Sequence, residues 1–141
     1  MSTTDQQTCV IVRANQLGSY EGKQGLTAFA GISAETAGSK HLCMNLLTFQ
    51  PGQKARVHKH ENHESAIYVM SGSTEVWYGE QLQHHVTMGT GDFIYIPAGV
   101  PHVPWNTSQS EICTALVART DPNEQESVVL LPELEEKSLV M

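Results

Sequence analysis

The stretch GQKARVHKHENHE, residues 52–64, holds three histidines and two glutamates within thirteen positions. His58 and His60 lie two positions apart, and side chains at positions i and i+2 of a β-strand point to the same face. Two imidazoles on one face, a carboxylate close by and a third imidazole from elsewhere make a mixed nitrogen and oxygen site. Such a donor set suits divalent first-row metals.

Short apolar, β-branched or aromatic runs recur on both sides of this stretch. Turn residues rich in glycine, proline and serine separate the runs, and none has the length and period of an amphipathic helix. The runs occupy residues 9–12, 26–32, 42–49, 66–70, 75–78, 84–88, 92–96, 102–105 and 112–118. Many short strands separated by such turns predict an all-β sandwich or barrel.

A second stretch, GDFIYIPAGVPHVPWN at residues 91–106, supplies a further imidazole, that of His102. The apolar run 93–96 predicts a strand, and Pro97 and Gly99 predict the turn that ends it. His102 then enters another strand. The two stretches together therefore supply the ligands of one predicted metal site.

Four side chains form the predicted ligand set. We expect His102 to lie across the barrel lumen from His58 and His60. Glu64 begins the strand that follows the first stretch, and an antiparallel hairpin would bring its carboxylate back beside the imidazoles. His63 is expected to face solvent or to stand behind the ligands rather than among them.

The length of 141 residues and a hydrophobic content of 40% fit one domain with one core, spanning residues 1–141. We place the barrel at about 9–119 and a C-terminal arm at about 120–141, packed on the barrel or on a partner subunit. Of the net charge of −7, residues 121–141 carry six acids and one base, or −5, which predicts a solvated acidic tail.

Composition also excludes several classes of protein. The nearly neutral body lacks the basic stripe that nucleic acid needs, and no apolar run is long enough to span a membrane. Residues 1–8 lack the pattern of a signal peptide, so we expect a cytoplasmic protein. Cys9, Cys43 and Cys113 form no CxxC pair and are expected to be small buried hydrophobes.

The two stretches resemble the two signature motifs of the cupin superfamily. The second cupin motif consists of glycine, proline, glycine, histidine and asparagine, which are separated in turn by five, one, two and three residues. The chain meets every position of it with Gly91, Pro97, Gly99, His102 and Asn106. The first motif consists of glycine, histidine, histidine, glutamate and glycine, which are separated in turn by five, one, three or four, and six residues. Its first four positions are met by Gly52, His58, His60 and Glu64.

The closing glycine of the first motif departs from the pattern. Gly72 follows Glu64 after seven residues instead of six. The longer spacing between histidine and glutamate would place Ser65 at the ligand position, and serine is a poor ligand. We therefore assign Glu64 as the ligand and expect a one-residue bulge before Gly72.

The resemblance implies a single jelly-roll β-barrel with one divalent metal ion, held by His58, His60, Glu64 and His102. Manganese or iron is favoured, and nickel, zinc or copper also occurs in cupins. Four protein ligands would leave two octahedral positions for water or substrate, as in a reactive site. Cupins of this size are commonly homodimers, so we expect a homodimer that binds a small molecule and neither nucleic acid nor membrane.

Three functions are compatible with these residues. The first is a metal-dependent dioxygenase or related oxidoreductase that acts on a small chelating substrate with two neighbouring oxygens, with Glu64 as the base. The second is an isomerase, lyase or hydrolytic enzyme that uses the metal as a Lewis acid only. The third is a non-catalytic module that binds a metal or a metabolite. Fold-level likeness alone does not choose between them.

Overall fold

The computed structural model describes residues 8–125 and 127–138. Within them the strands are β1 (Ser19–Glu21), β2 (Thr27–Ile32), β3 (Cys43–Phe49), β4 (His58–His60), β5 (Ser65–Ser71), β6 (Ser73–Tyr78), β7 (His84–Gly89), β8 (Phe93–Ile96), β9 (His102–Trp105), β10 (Cys113–Arg119) and β11 (Val128–Leu130). A 3₁₀ turn (Ala14–Gln16) and two short helices, α1 (Ala34–Ala37) and α2 (Pro132–Ser138), complete the described elements.

The strands form two antiparallel sheets. Sheet A has the order β1-β2-β3-β10-β5-β8, and sheet B has the order β11-β4-β9-β6-β7. Most neighbours are not consecutive in the chain, as in a jelly roll, whereas β1-β2-β3 and β6-β7 follow one another directly. The all-β prediction is confirmed, and most predicted runs coincide with a strand.

The core lies between the two sheets because side chains alternate along each strand. On β10 the buried positions are every second residue, from Cys113 to Arg119, and on β3 they run from Cys43 to Phe49 in the same way. Each large apolar side chain buried in this layer, such as Val69, contributes about 1.5–3 kcal/mol. The same alternation points some polar side chains inward, and these shape the site.

The segment after residue 127 packs on its own barrel. Strand β11 pairs antiparallel with β4, and Leu131 and Leu134 pack in a small cluster with Val57 and Val103 on the outside of sheet B. Glu135 of α2 forms an ion pair with Lys54 at 3.0 Å and accepts a hydrogen bond from the backbone N–H of Val57. The arm therefore packs on its own barrel, which is one of the two expected alternatives. Of the described acids after residue 127, only Glu135 departs from a solvated tail, because Glu133 and Glu136 are exposed.

Other predictions need smaller corrections. Residues 9–12 form no strand, whereas β1 was not predicted, because its three residues carry no apolar run. Cys43 and Cys113 are buried, as expected, but Cys9 is exposed. Burial raises the pKa of the Cys113 thiol. Among the described residues, the search for a helix with the length and hydropathy of a membrane span finds no candidate.

Candidate metal site

The three predicted histidines come together on the inner face of sheet B. His58 and His60 are both buried on β4, as their spacing predicts. Strand β4 pairs with β9, and His102 stands directly opposite His58 in that pair. The expectation that His102 lies across the lumen is therefore wrong: it is a cross-strand neighbour on the same face, where side chains stand about 5 Å apart.

The geometry of the three imidazoles fits a single ion. One nitrogen from each ring of His58, His60 and His102 lies within 4.8 Å of the other two. The ring centroids are 4.3 Å apart for His58 and His102, 5.0 Å for His58 and His60, and 5.1 Å for His60 and His102. Metal–nitrogen bonds of about 2.0–2.1 Å hold two nitrogens at most about 4.2 Å apart, so an ion would need only a small inward movement of the rings.

Backbone carbonyls fix the tautomer of two of these rings. Nδ1 of His58 donates to the carbonyl of Arg56 at 2.6 Å, and Nδ1 of His102 donates to the carbonyl of Val100 at 2.9 Å. A carbonyl oxygen can only accept, so each Nδ1 carries the proton and each Nε2 keeps its lone pair for a metal. This is the arrangement by which outer groups orient metal-binding histidines. The donor set therefore fits a divalent first-row ion.

Glu64 does not join the three histidines. Its side chain is exposed, and Oε1 accepts a hydrogen bond of 2.8 Å from the Tyr95 hydroxyl on the outer surface. The next residue, Ser65, is buried and lines the same cavity as the histidines. Alternation along β5 points Ser65 inward and Glu64 outward, so the assignment of Glu64 as ligand and base is not supported by this placement.

The expected bulge before Gly72 exists and lies near the end of β5. Opposite β10, Thr114 pairs with Ser71 and Ala115 pairs with Val69, so Met70 is the extra residue. A bulge reverses the side-chain parity only beyond its own position. Because Met70 follows the start of the strand, the bulge accounts for the late Gly72 without turning Glu64 inward.

His63 is a fourth imidazole close to the cluster. It is buried, and its ring centroid lies 4.7 Å from that of His60. Its Nδ1 contacts Ser127 Oγ at 3.2 Å and Asp121 Oδ2 at 3.6 Å. The expectation that His63 faces solvent is wrong, whereas the alternative, a position behind the ligands, agrees with these contacts. Asn106 is also buried, and its Nδ2 donates to the carbonyls of Phe49, Gln50 and Glu111, which is a structural role.

A cavity of about 50 Å³ lies beside the histidines inside the barrel. Most of its walls are apolar, and the polar side chains that line it besides the imidazoles belong to Gln24, Ser65, Thr74 and Arg119. Arg119 is buried and its Nη2 donates to the carbonyls of Asn123 and Glu124, each at 2.9 Å. Gln24 and Arg119 were missed because neither belongs to a motif.

A larger cleft of about 370 Å³ leads outward from His102. It lies between β8 of sheet A and strands β6 and β7 of sheet B. Apart from His102, its lining is apolar or aromatic: Val76, Tyr78, Val86, Met88, Phe93, Ile94, Tyr95, Ile96, Pro97 and Val100. His102 borders both the cleft and the inner cavity, so the cleft gives a ligand of small-molecule size access to the imidazoles.

Similarity to known proteins agrees with the fold. A family model described as a cupin domain matches residues 45–118. Auxin-binding protein 4 of Zea mays is 29% identical over 107 residues, which cover 72% of this chain but only 52% of the maize protein.

Solved structures extend the likeness to nearly the whole chain. The polyketide cyclase RemF from Streptomyces resistomycificus has a TM-score of 0.71 and 24% identity, over 95% of this chain and 94% of that one. Oxalate decarboxylase from Bacillus subtilis has a TM-score of 0.71 and 21% identity, over 92% of this chain and 34% of that one. At these identities the likeness shows the fold alone. Since the matched residues 45–118 include both histidine-bearing stretches, the chain belongs to the cupin family.

Proposed function

We propose that the protein is a metal-dependent enzyme that acts on a small, mostly apolar molecule with two neighbouring oxygens. The observation that carries this proposal is the meeting of two features at His102: three converging imidazoles and an apolar cleft of about 370 Å³. A metal held by His58, His60 and His102 would supply Lewis acidity and, if redox-active, access to oxygen chemistry.

Within residues 8–125 and 127–138 no carboxylate joins this donor set, and this has a chemical consequence. Three neutral imidazoles leave the full double positive charge of an ion uncompensated, whereas a glutamate would halve it. Such a site favours an anionic chelating substrate, such as an enolate or a catecholate. It also shifts the expected metal from manganese, which prefers oxygen donors, towards iron or another imidazole-preferring ion.

The chain's own residues would bind and orient the substrate. The apolar walls of the cleft, including Tyr78, Met88 and Phe93, would hold its carbon skeleton and exclude water. Its oxygens would then face the three histidines at the inner end. We place dioxygenase chemistry first among the reactions that such an arrangement serves.

A second candidate is non-oxidative chemistry in which the ion acts as a Lewis acid only. The structural likeness to a polyketide cyclase over almost the full length of both chains favours it, together with the apolar cleft. Polyketides present neighbouring oxygens on a largely apolar skeleton, which matches the lining of the cleft.

One experiment separates these candidates. Protein purified without chelator is analysed for metal, loaded with iron, and supplied with a panel of diketones, enediols and catechols while oxygen uptake and product are measured. Turnover that requires oxygen supports the dioxygenase, and equal turnover without oxygen supports the Lewis-acid enzyme. Chelation without turnover of any compound supports a binding module, and failure to hold any metal refutes both enzymes.

We also propose a homodimer, in which the C-terminal arm has no part because β11 pairs with its own barrel. The remaining argument is the edge strand β8, which carries Phe93 and Tyr95 with 75% and 60% of their surfaces exposed. Light scattering at micromolar concentration should give the mass of two chains, and Phe93→Asp should shift it towards one. A wild-type monomer would refute the dimer.

A further inference from the structure

The side-chain carboxamide of Gln24 is buried, and its oxygen takes no part in the hydrogen bonds of the described fold. Its side chain lines the inner cavity together with the three histidines, and only 7% of the residue is exposed. Its Oε1 atom is buried and has no hydrogen-bond partner among the residues that the structure describes. A buried acceptor without a partner is destabilising, so its presence requires a reason outside the packing of the core.

The backbone holds Gln24 firmly in this position. Gln24 lies in the turn between β1 and β2, and its carbonyl accepts a hydrogen bond of 2.8 Å from the N–H of Arg56. The carbonyl of Arg56 in turn accepts from Nδ1 of His58. One residue therefore positions both Gln24 and a candidate metal ligand. Gly22 leaves room for the carboxamide, because a Cβ there would lie 2.8 Å from Oε1.

The carboxamide has a chemical property that no other wall of the cavity shares. Of the residues that line it, Gln24 alone has a side-chain carbonyl or carboxylate oxygen. Ser65, Thr74 and Arg119 all have protons to donate, and the Thr74 hydroxyl lies 3.3 Å from the carbonyl of Trp105. The Ser65 and Thr74 hydroxyls can donate as well as accept, whereas Gln24 Oε1 can only accept, so Oε1 suits a ligand that brings its own proton.

We propose that Gln24 determines specificity by accepting a hydrogen bond from a protonated oxygen of the ligand bound at the histidines. This inference rests on the proposed metal site and narrows its substrate class. The preferred ligand keeps one hydroxyl beside its second chelating oxygen, as a hydroxy acid, an enol or a hydroxyketone does. A fully deprotonated dicarboxylate or a keto acid gains nothing from Gln24, because two acceptors face each other.

A matched pair of ligands tests this directly. Mandelate and phenylglyoxylate share one skeleton and differ only in a hydroxyl or a keto oxygen at the chelating carbon. Both are titrated into cobalt-loaded wild type, Gln24→Met and the exposed control Gln50→Met, with the metal spectrum as the readout. We expect Gln24→Met to keep its cobalt, to bind mandelate about tenfold more weakly, and to bind phenylglyoxylate within about twofold of wild type.

A second variant displaces the carboxamide without removing it. In Gly22→Ala the new Cβ meets Oε1, so the same selective loss of mandelate affinity is expected. A metal-free measurement adds an independent readout: Gln24→Met should melt at the wild-type temperature or about 3 °C above it, since an unsatisfied acceptor has gone. A clear fall in melting temperature would show that Oε1 supports the fold and would overturn the inference.

The remaining outcomes are also decisive. Equal losses for both ligands, no loss for either, or loss of cobalt from Gln24→Met would each refute the specificity role while the proposed metal site stands. Failure of wild type to hold cobalt refutes the proposed function, and the inference that rests on it falls as well.

Discussion

The Tyr95 hydroxyl donates a hydrogen bond of 2.8 Å to Oε1 of Glu64 on the outer surface of sheet A. Tyr95 belongs to β8, and Glu64 immediately precedes β5, its neighbour in the sheet. The bond holds the carboxylate on the opposite face from the three histidines. It also raises the pKa of the Tyr95 phenol, because ionisation would remove the donated proton beside a negative charge.

The substitution Glu64→Gln should therefore change the pKa of Tyr95 and leave metal binding unchanged. We expect unchanged metal content and a Tyr95 pKa that falls towards its ordinary value, measured by phenolate absorbance against a Tyr95→Phe blank. Since the folded pKa is raised, the bond stabilises the fold below the unfolded pKa of tyrosine, and that contribution is lost as pH rises through the folded value. A Glu64→Gln protein that loses its metal would contradict the outward placement.

The histidine cluster predicts a strong loss of metal when a ligand is removed. His60→Ala and His102→Ala should each weaken the binding of zinc or cobalt by about 100-fold or more, because both affinity and geometry are lost. His41→Ala, which changes an exposed histidine, should bind as wild type does. Equilibrium dialysis measures all three. Wild-type affinity in both cluster variants would rule out the site.

Ser65 occupies the inward position at which the longer motif spacing would place glutamate. Ser65→Glu should add a carboxylate to the donor set and strengthen manganese binding about tenfold, since oxygen donors suit that ion. Without metal the same variant should unfold at lower urea, because a buried carboxylate lacks a partner. Ser73→Glu, at an exposed position, should change neither the manganese affinity nor the urea concentration of unfolding. Unaltered manganese affinity in Ser65→Glu would show that residue 65 is out of reach of the ion.

Two motif glycines share a positive φ of 78° but differ in their surroundings. A Cβ on Gly72 would lie 2.5 Å from the carbonyl oxygen of Ile112, whereas one on Gly52 meets nothing within 4 Å. Gly52→Ala should cost about 1–2 kcal/mol for the backbone conformation alone. Gly72→Ala should cost about 3 kcal/mol or more, as strain and a backbone clash add. Urea unfolding of the pair measures the difference, and equal costs would contradict the close approach at Gly72.

The sequence predicts the fold and three histidines because both follow from local rules. Period-2 alternation and turn residues mark most strands, and the two-residue spacing of His58 and His60 fixes their common face. The pairing of β4 with β9, which puts His102 beside His58, depends on sheet order, and no local signal encodes it.

The structure differs from the prediction in two further situations. In one, a shift of a single residue decides which side chains of a strand point inward; in the other, the interacting residues are distant in the chain. Ser65 rather than Glu64 points inward because it shares the strand parity of the buried Val69, and the bulge at Met70 comes too late in β5 to change this. Glu135 looks like one of many acids in the sequence, yet it pairs with Lys54, some eighty positions earlier. Gln24 carries no motif, and only its burial beside the histidines marks it.

The pairing of β11 with β4 also has a consequence for the order of assembly during synthesis. His58 and His60 emerge from the ribosome long before Val128 and Leu130, the residues that stand opposite them in the completed sheet. Until that later segment arrives, one edge of the histidine strand has no partner and Val57 lacks the cover of Leu131 and Leu134. The histidine strand therefore gains its second neighbour only after residue 130 has been synthesised, which makes the completion of sheet B a late step in the folding of each new chain.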